Sequence, residues 1–255
     1  MAPRLADLHS HTYYSDGTDS PRRLIELAKK AGLAAIAVTD HDILEGHPEA
    51  DVAARELGVE LIPGIEMSAS VNNVEVHVLG YFLDPANAVL QRHLAEQRDR
   101  RLQRMRDMVA KLRSLGVPIS VDDVMAVAGK GTMGRPHVAE AMVKGGYVNT
   151  PREAFDRYIG NNGPGFISGS QIAPRVVIDV ILQAGGVPVL AHPIYLKDDG
   201  LIEQFAHEGL AGVEAYHSSH STEQAKRYEQ LAQRLGLLRT GGSDYHGGNK
   251  EGVAI

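Results

Sequence analysis

The chain has 255 residues, 43% hydrophobic and 23% charged, which suits a soluble globular protein built as one large domain or one domain with an insertion. It has no cysteine, so a disulfide framework and a thiolate metal site are both excluded, and any metal must be held by nitrogen and oxygen. A net charge of −6 argues against a broadly basic nucleic-acid-binding protein. No apolar run approaches the ~20 residues that span a bilayer, so a cytoplasmic protein without a membrane segment is expected.

In chain order, Leu5 to His9 reads as a strand. Pro21 to Ala31 is an amphipathic helix with Ser20 as N-cap and Gly32 just past its end. Ala34 to Thr39 is a second strand, Pro48 to Leu57 a helix closed by Gly58, Val59 to Ile65 a third strand and Val74 to Leu79 a fourth. From about Asp84 to about Gly163 the alternation gives way to helix alone. Val89 to Leu115 is long and heavily charged, and three shorter helices follow, at VDDVMAVAG after Ser120, at Pro136 to Lys144 and at Pro151 to Tyr158. Asp123 stands where a full capping box would carry Glu or Gln. Helix and strand then alternate again: Ala173 to Gln183, strand Val187 to Leu190, Leu201 to His207, strand Gly212 to Ala215, Thr222 to Leu235 and strand Leu237 to Thr240. Seven strands alternating with helices point to a parallel sheet or an α/β barrel, interrupted by a helical insertion between strands 4 and 5.

The chain carries twelve histidines, and many sort to one place. His9 and His11 follow the first strand, with Asp16 in the next loop. His41 follows the second, Glu66 the third, and His77 lies on the fourth. His192 follows the fifth, His217 the sixth, and Asp244 and His246 the seventh. In a (β/α) barrel the ends of the strands converge on one face and build the active site, a sorting that scattered core histidines would not show. Imidazoles and carboxylates are the ligands for Zn²⁺, Mn²⁺ or Fe²⁺ when thiolate is absent. His9 and His11, two apart on an extended chain, face the same way and can grip one ion together. His9, His11, Asp16, His41, Glu66, His77, His192, Asp244 and His246 are too many for one ion with roughly four to six ligands, and they imply two to three. Asp40 reads as a partner orienting an imidazole, Asp42 is open between roles, and His47, His93 and His207 read as structural.

The motifs HSHTYYSDG, TDHD, PGIEMS, VHVLGY, AHP, YHSSH and GSDYHG resemble those of the polymerase and histidinol phosphatase (PHP) family, over roughly residues 4 to 83 and 165 to 248. The resemblance implies an α/β fold, a distorted (β/α)7 barrel of TIM-like type, with residues 1–83 and 164–255 as the metal-binding barrel and 84–163 as a helical insertion acting as substrate lid. It implies three ion sites: His9, His11, Glu66 and Asp244; Glu66, His77 and His192, with Glu66 bridging; and Asp16, His41 and His246. Members usually continue for some tens of residues past GSDYHG, so a longer C-terminal segment is expected. The insertion is similar to that of the branch that hydrolyses the 3′-phosphate of nucleoside 3′,5′-bisphosphates, which includes 5′-to-3′ exoribonucleases of short 5′-phosphorylated RNA. The expected enzyme is thus a phosphoric monoester hydrolase acting by a metal-bound hydroxide, with manganese expected and Fe or Zn as alternatives. A histidinol-phosphate-type phosphatase is the further alternative. The expected partners are a small nucleotide or short RNA, with no obligate protein.

His217, surplus to the metal set, is the expected proton donor to the leaving oxygen. Arg135, in a Gly-flanked loop before a helix, is the expected anchor of a second phosphate, with His137 and Ser219 or His220 contributing.

Overall fold

The computed structural model describes residues 5–129, 131–169, 171–196, 198–250 and 252–255. Seven strands form one sheet in chain order: β1 (Ala6–Asp7), β2 (Ala35–Val38), β3 (Glu60–Val71), β4 (Val74–Tyr81), β5 (Val187–Leu190), β6 (Gly212–His217) and β7 (Leu238–Gly242). The two edges meet. Leu8 N–H donates to Gly241 O at 3.1 Å and Asp244 N–H to His9 O at 2.8 Å, and Ser10 pairs with Tyr245 in parallel, so the sheet closes into a distorted TIM-like barrel.

Two strand directions depart from a plain (β/α) repeat. β3 and β4 form an antiparallel hairpin, and β4 also runs antiparallel to β5, while the other pairs are parallel. Strand β3 is twelve residues long and runs through the position expected to end it, so Glu66 lies within the strand and not after it. β4 passes the strand-end face in the opposite sense, and this is how His77, near its middle, reaches that face opposite Ser68.

Helices α1 (Pro21–Ala31), α2 (His47–Leu57), α7 (Pro174–Gln183), α8 (Gly200–His207) and α9 (Thr222–Leu235) flank the barrel. Helix α1 forms where its caps predict: Ser20 accepts from Arg23 N–H and Gly32 takes the left-handed conformation at φ 75°. It buries Leu24, Ile25 and Ala28 against Ile36 and Val38 of β2 and Ala50 and Ala53 of α2. Between β4 and β5 come α3 (Ala88–Ser114), α4 (Val121–Ala128), α5 (Arg135–Lys144) and α6 (Pro151–Ala154), the last running into a wider π turn at Phe155–Ile159. These helices share an apolar cluster of their own around Met108, Leu112, Val124, Val138 and Met142. The Ser120 capping box is complete with Asp123 in place of Glu or Gln, because its Oδ2 accepts the Ser120 N–H at 2.8 Å. Among the described residues, no helix is long and apolar enough to cross a membrane.

Candidate metal centre

Glu66 is the hub. It is 1% exposed, and its two oxygens face different histidines. Oε2 lies 3.3 Å from His9 Nε2, 3.1 Å from His11 Nε2 and 3.2 Å from His41 Nδ1. Oε1 lies 2.8 Å from His77 Nδ1 and 3.0 Å from His192 Nε2. Asp244 Oδ1 stands 3.4 Å from both His9 Nε2 and His11 Nε2. Asp16 Oδ1 is 3.2 Å from His246 Nε2, and its Oδ2 is 3.8 Å from His41 Nε2.

All nine expected ligands therefore meet, and His41 offers one nitrogen toward Glu66 and the other toward Asp16. Their potential ligand atoms fall into tight groups: His11, Asp16, His41 and His246; His9, His11 and Asp244; His9, Glu66 and His192; and His41, Glu66 and His77. The chemistry of these donors fits divalent ions. His9 Nε2, His11 Nε2, His41 Nδ1 and Asp16 Oδ1 are buried and complete no hydrogen bond, although carboxylate oxygens or imidazole nitrogens lie close by. Buried polar atoms normally find partners. Within each group the potential ligand atoms lie within 4.8 Å of one another, close enough to share a cation.

The electrostatics describe the same shortage of positive charge. Burial would raise the carboxyl of Glu66, yet the surrounding histidines hold it well below the usual range, and Asp16 and Asp244 follow the same pattern. Burial lowers His11 and His77, but neighbouring carboxylates outweigh it and lift them to about 9 and about 10. Burial dominates at His41 and depresses it to about 3. Without ions, the cluster draws protons onto its histidines to balance the acids.

The supporting contacts differ in part from expectation. Asp40 does not touch an imidazole. It accepts from Thr12 N–H, Thr12 Oγ1 and Ser15 Oγ at 2.7 Å each, and Ser15 Oγ in turn meets His11 Nδ1 at 3.3 Å, so Asp40 steadies His11 through a serine. Asp42 accepts from Ser68 N–H and Oγ and pairs with Arg101 of α3 at 2.7 Å. Glu214 of β6 has no counterpart in the sequence reading. It is fully buried, meets His9 Nδ1 at 3.0 Å and accepts the His192 N–H at 2.8 Å. One signal for it was available, a lone acid inside the apolar run GVEAYH.

His217 Nδ1 accepts the Ser219 N–H at 3.0 Å, which leaves the proton of the neutral ring on Nε2, 3.2 Å from Asp244 Oδ2. Lys250 Nζ meets the same oxygen at 2.5 Å. Arg135 opens α5 and lines a cavity of about 510 Å³ together with His77, His192, Tyr195 and Asp244. Its guanidinium lies between the Phe155 and Phe166 rings and contacts Asn161 at 2.7 Å and Glu75 at 3.2 Å. Tyr195 and Asp244 also line a second cavity of about 710 Å³, with Pro136, Thr150, Phe155 and Lys250. His137 and His220 do not line these cavities. His137 accepts the Gly134 N–H and fixes the start of α5, while His220 turns its Nδ1 to Ala215 O at 3.0 Å and keeps a buried Nε2 without a hydrogen bond. Ser219 reaches the rim through the Tyr195 hydroxyl, 3.1 Å away. His47 and His207 also bind backbone carbonyls.

Residues 7–100 match the PHP domain. The chain is 35% identical to a 3′,5′-nucleoside bisphosphate phosphatase of Chromobacterium violaceum, over 94% of this chain and 86% of that one. It is 32% identical to a 5′-3′ exoribonuclease of Haemophilus influenzae, over 94% and 89%. A crystal structure from Bifidobacterium adolescentis, named for metal-dependent phosphoesterase activity, superposes with a TM-score of 0.90 at 38% identity, over 97% of this chain and 90% of that one.

Proposed function

The chain belongs to the PHP family of phosphoesterases, and on that premise we propose that it removes the 3′-phosphate from nucleoside 3′,5′-bisphosphates using two to three divalent ions, Mn²⁺ foremost and Fe²⁺ or Zn²⁺ as alternatives. The observation that carries this reading is a cavity in which the Arg135 guanidinium stands with His77, His192 and Asp244, three members of the nine-residue ligand cluster. Bound ions supply Lewis-acid neutralisation of phosphoryl oxygens and bring water toward ionisation near neutral pH.

The chain's own residues supply the rest. Glu66 offers an oxygen to each of two ligand sets, and His9, His11 and Asp244 complete one while His77 and His192 complete the other. Asp16, His41 and His246 form the third. His217 directs its Nε2–H toward the edge of the cluster, where it would hydrogen-bond the leaving 3′-oxygen as negative charge builds there, with Asp244 keeping the ring in place meanwhile. Arg135 presents a charged fork to a second phosphate, and two aromatic rings and Asn161 limit its motion. Glu75 occupies that fork in the absence of an anion, so the second phosphate would exchange with a carboxylate. Residues 84–163 serve as a lid over the barrel segments 1–83 and 164–255, since this insertion contributes Arg135, Asn161 and Phe155 to the cavity walls.

A second reading is 5′-to-3′ hydrolysis of short 5′-phosphorylated RNA. It is favoured by the second cavity, which shares Tyr195 and Asp244 with the first and would give a continuing strand room next to the site. The test is phosphate or nucleotide release from adenosine 3′,5′-bisphosphate, 3′-AMP, 5′-AMP, histidinol phosphate and a 5′-phosphorylated oligoribonucleotide, each with Mn²⁺. The bisphosphate should be turned over best, and a strong preference for histidinol phosphate would overturn the substrate assignment. Arg135→Ala should cut the preference for bisphosphate over 3′-AMP roughly tenfold to a hundredfold, the worth of a charged hydrogen bond. An unchanged ratio of kcat/KM would remove Arg135 from this role.

A further inference from the structure

We infer that Glu214 is a positioning residue that sets two metal-ligating histidines from different strands with one carboxylate, and that it governs how tightly the centre holds its ions. The inference rests on the metal-centre reading above.

Glu214 is 0% exposed, and an acid is almost never buried so completely without partners. Both its oxygens are engaged. Oε1 lies 3.0 Å from His9 Nδ1, and Oε2 lies 3.3 Å from the same nitrogen and 2.8 Å from the His192 N–H. The first contact selects a tautomer. A carboxylate only accepts, so His9 Nδ1 carries the proton and its Nε2 lone pair faces Glu66 and Asp244. The second contact holds a backbone. His192 sits at φ 27° and ψ 62°, in the left-handed half of conformational space that a residue with a Cβ rarely adopts, and the hydrogen bond from its N–H pins it there. That turn is what points the imidazole back at Glu66 Oε1, 3.0 Å away.

The local fold explains how β6 delivers this group. Strand alternation would put Glu214 and His217, three residues apart, on opposite faces. The pairing of β6 with β7 slips between Glu214 and Tyr216, a bulge that inserts one residue. After it both Glu214 and His217 are buried, and Tyr216 between them is turned outward at 49% exposure. Glu214 therefore links three parts of the barrel: it stands on β6, restrains the turn after β5, and fixes the ring that follows β1.

Glutamine is the informative replacement. It keeps the shape but has a single accepting oxygen, so it can serve His9 or His192 and must turn an N–H₂ toward the other. For Glu214→Gln in the full chain, Mn²⁺ binding followed by titration calorimetry should weaken roughly 10- to 100-fold for the tightest site. The rise in Tm on adding Mn²⁺ should shrink, and kcat should recover at high Mn²⁺ while the Mn²⁺ concentration for half-activation climbs. A role in folding alone would lower the Tm of the metal-free and loaded protein equally and leave Mn²⁺ affinity unchanged, and that result would overturn the inference. A wild-type chain that binds no metal would instead overturn the metal-centre reading. If the variant does not fold, histidine ¹⁵N shifts of the Zn²⁺-loaded wild type decide: His9 must be protonated at Nδ1 and metal-bound at Nε2, and the opposite tautomer rules the inference out.

Discussion

At the scale of the residue, Glu66 concentrates the design. Five imidazoles approach its two oxygens within 3.3 Å, and no other carboxylate in the cluster faces so many. A buried anion with that many neutral bases around it is stable only if cations or protons supply charge. Glu66→Gln removes the charge and one accepting oxygen while preserving volume. The expected outcome is a loss of at least two ions per chain by elemental analysis, with phosphate release reduced by roughly 10³-fold or more, since Lewis-acid stabilisation is worth several kcal/mol. Retention of full metal content would show that the histidines suffice without it. Asp16 enters only the group made with His11, His41 and His246, so Asp16→Ala should lose a single ion and spare the other sets.

At the scale of the element, the helices were legible from their punctuation and the ligands from their motifs, because capping residues and strand-end histidines act locally. The Ser20 and Gly32 caps bound α1 where the sequence placed it. Relations between strands were less legible. Nothing within VEVHVLGY reveals that β4 runs antiparallel, and nothing in EAYHSSH reveals the bulge that brings His217 to the same buried side as Glu214, since both depend on the register of neighbours distant in the chain. Barrel closure is a further case. Gly242 of β7 passes so close to the first ligand strand that a Cβ there would stand 2.3 Å from His9 Cβ and 2.6 Å from His9 N. Gly242→Ala must push β7 from β1 and shift His9. We expect a stability loss of about 1–3 kcal/mol, the cost of overpacking, together with weaker metal retention. Urea unfolding alongside metal analysis checks both, and a destabilised variant that still held its full ion content would separate closure from the centre.

At the scale of the whole molecule, charge ties the insertion to the barrel and metal ties both to stability. Arg101 of α3 reaches Asp42 and Ser68 of the barrel, and its removal strands a buried carboxylate. Arg101→Met should cost about 3 kcal/mol, in the range for breaking a buried pair, and the loss should fade in acid. Arg101 and two hydrogen bonds from Ser68 hold Asp42 below its usual pKa against the opposing effect of burial, so its contribution is present above about pH 4 and disappears as the pH falls through the depressed value. The metal centre makes the opposite demand at high pH. In metal-free protein His11 and His77 titrate near 9 and 10, above the ~6.5 of an unfolded chain. Their protonation therefore stabilises the metal-free fold fully below about pH 6.5, and that stability drains away as the pH rises through 9 to 10. Ions need the same lone pairs, so loading releases protons and tightens with pH. At free metal of about 100 times Kd, each ion bound is worth about 2.7 kcal/mol, or roughly 5–10 °C in Tm for a domain of this size. The Tm of chelator-treated protein should fall from pH 7 to pH 10 while that of Mn²⁺-loaded protein holds, so the gap between them widens across this window. A gap that stayed constant with pH would mean that ions and protons do not compete for these histidines, and that the buried donors around Glu66 are not where the metal binds.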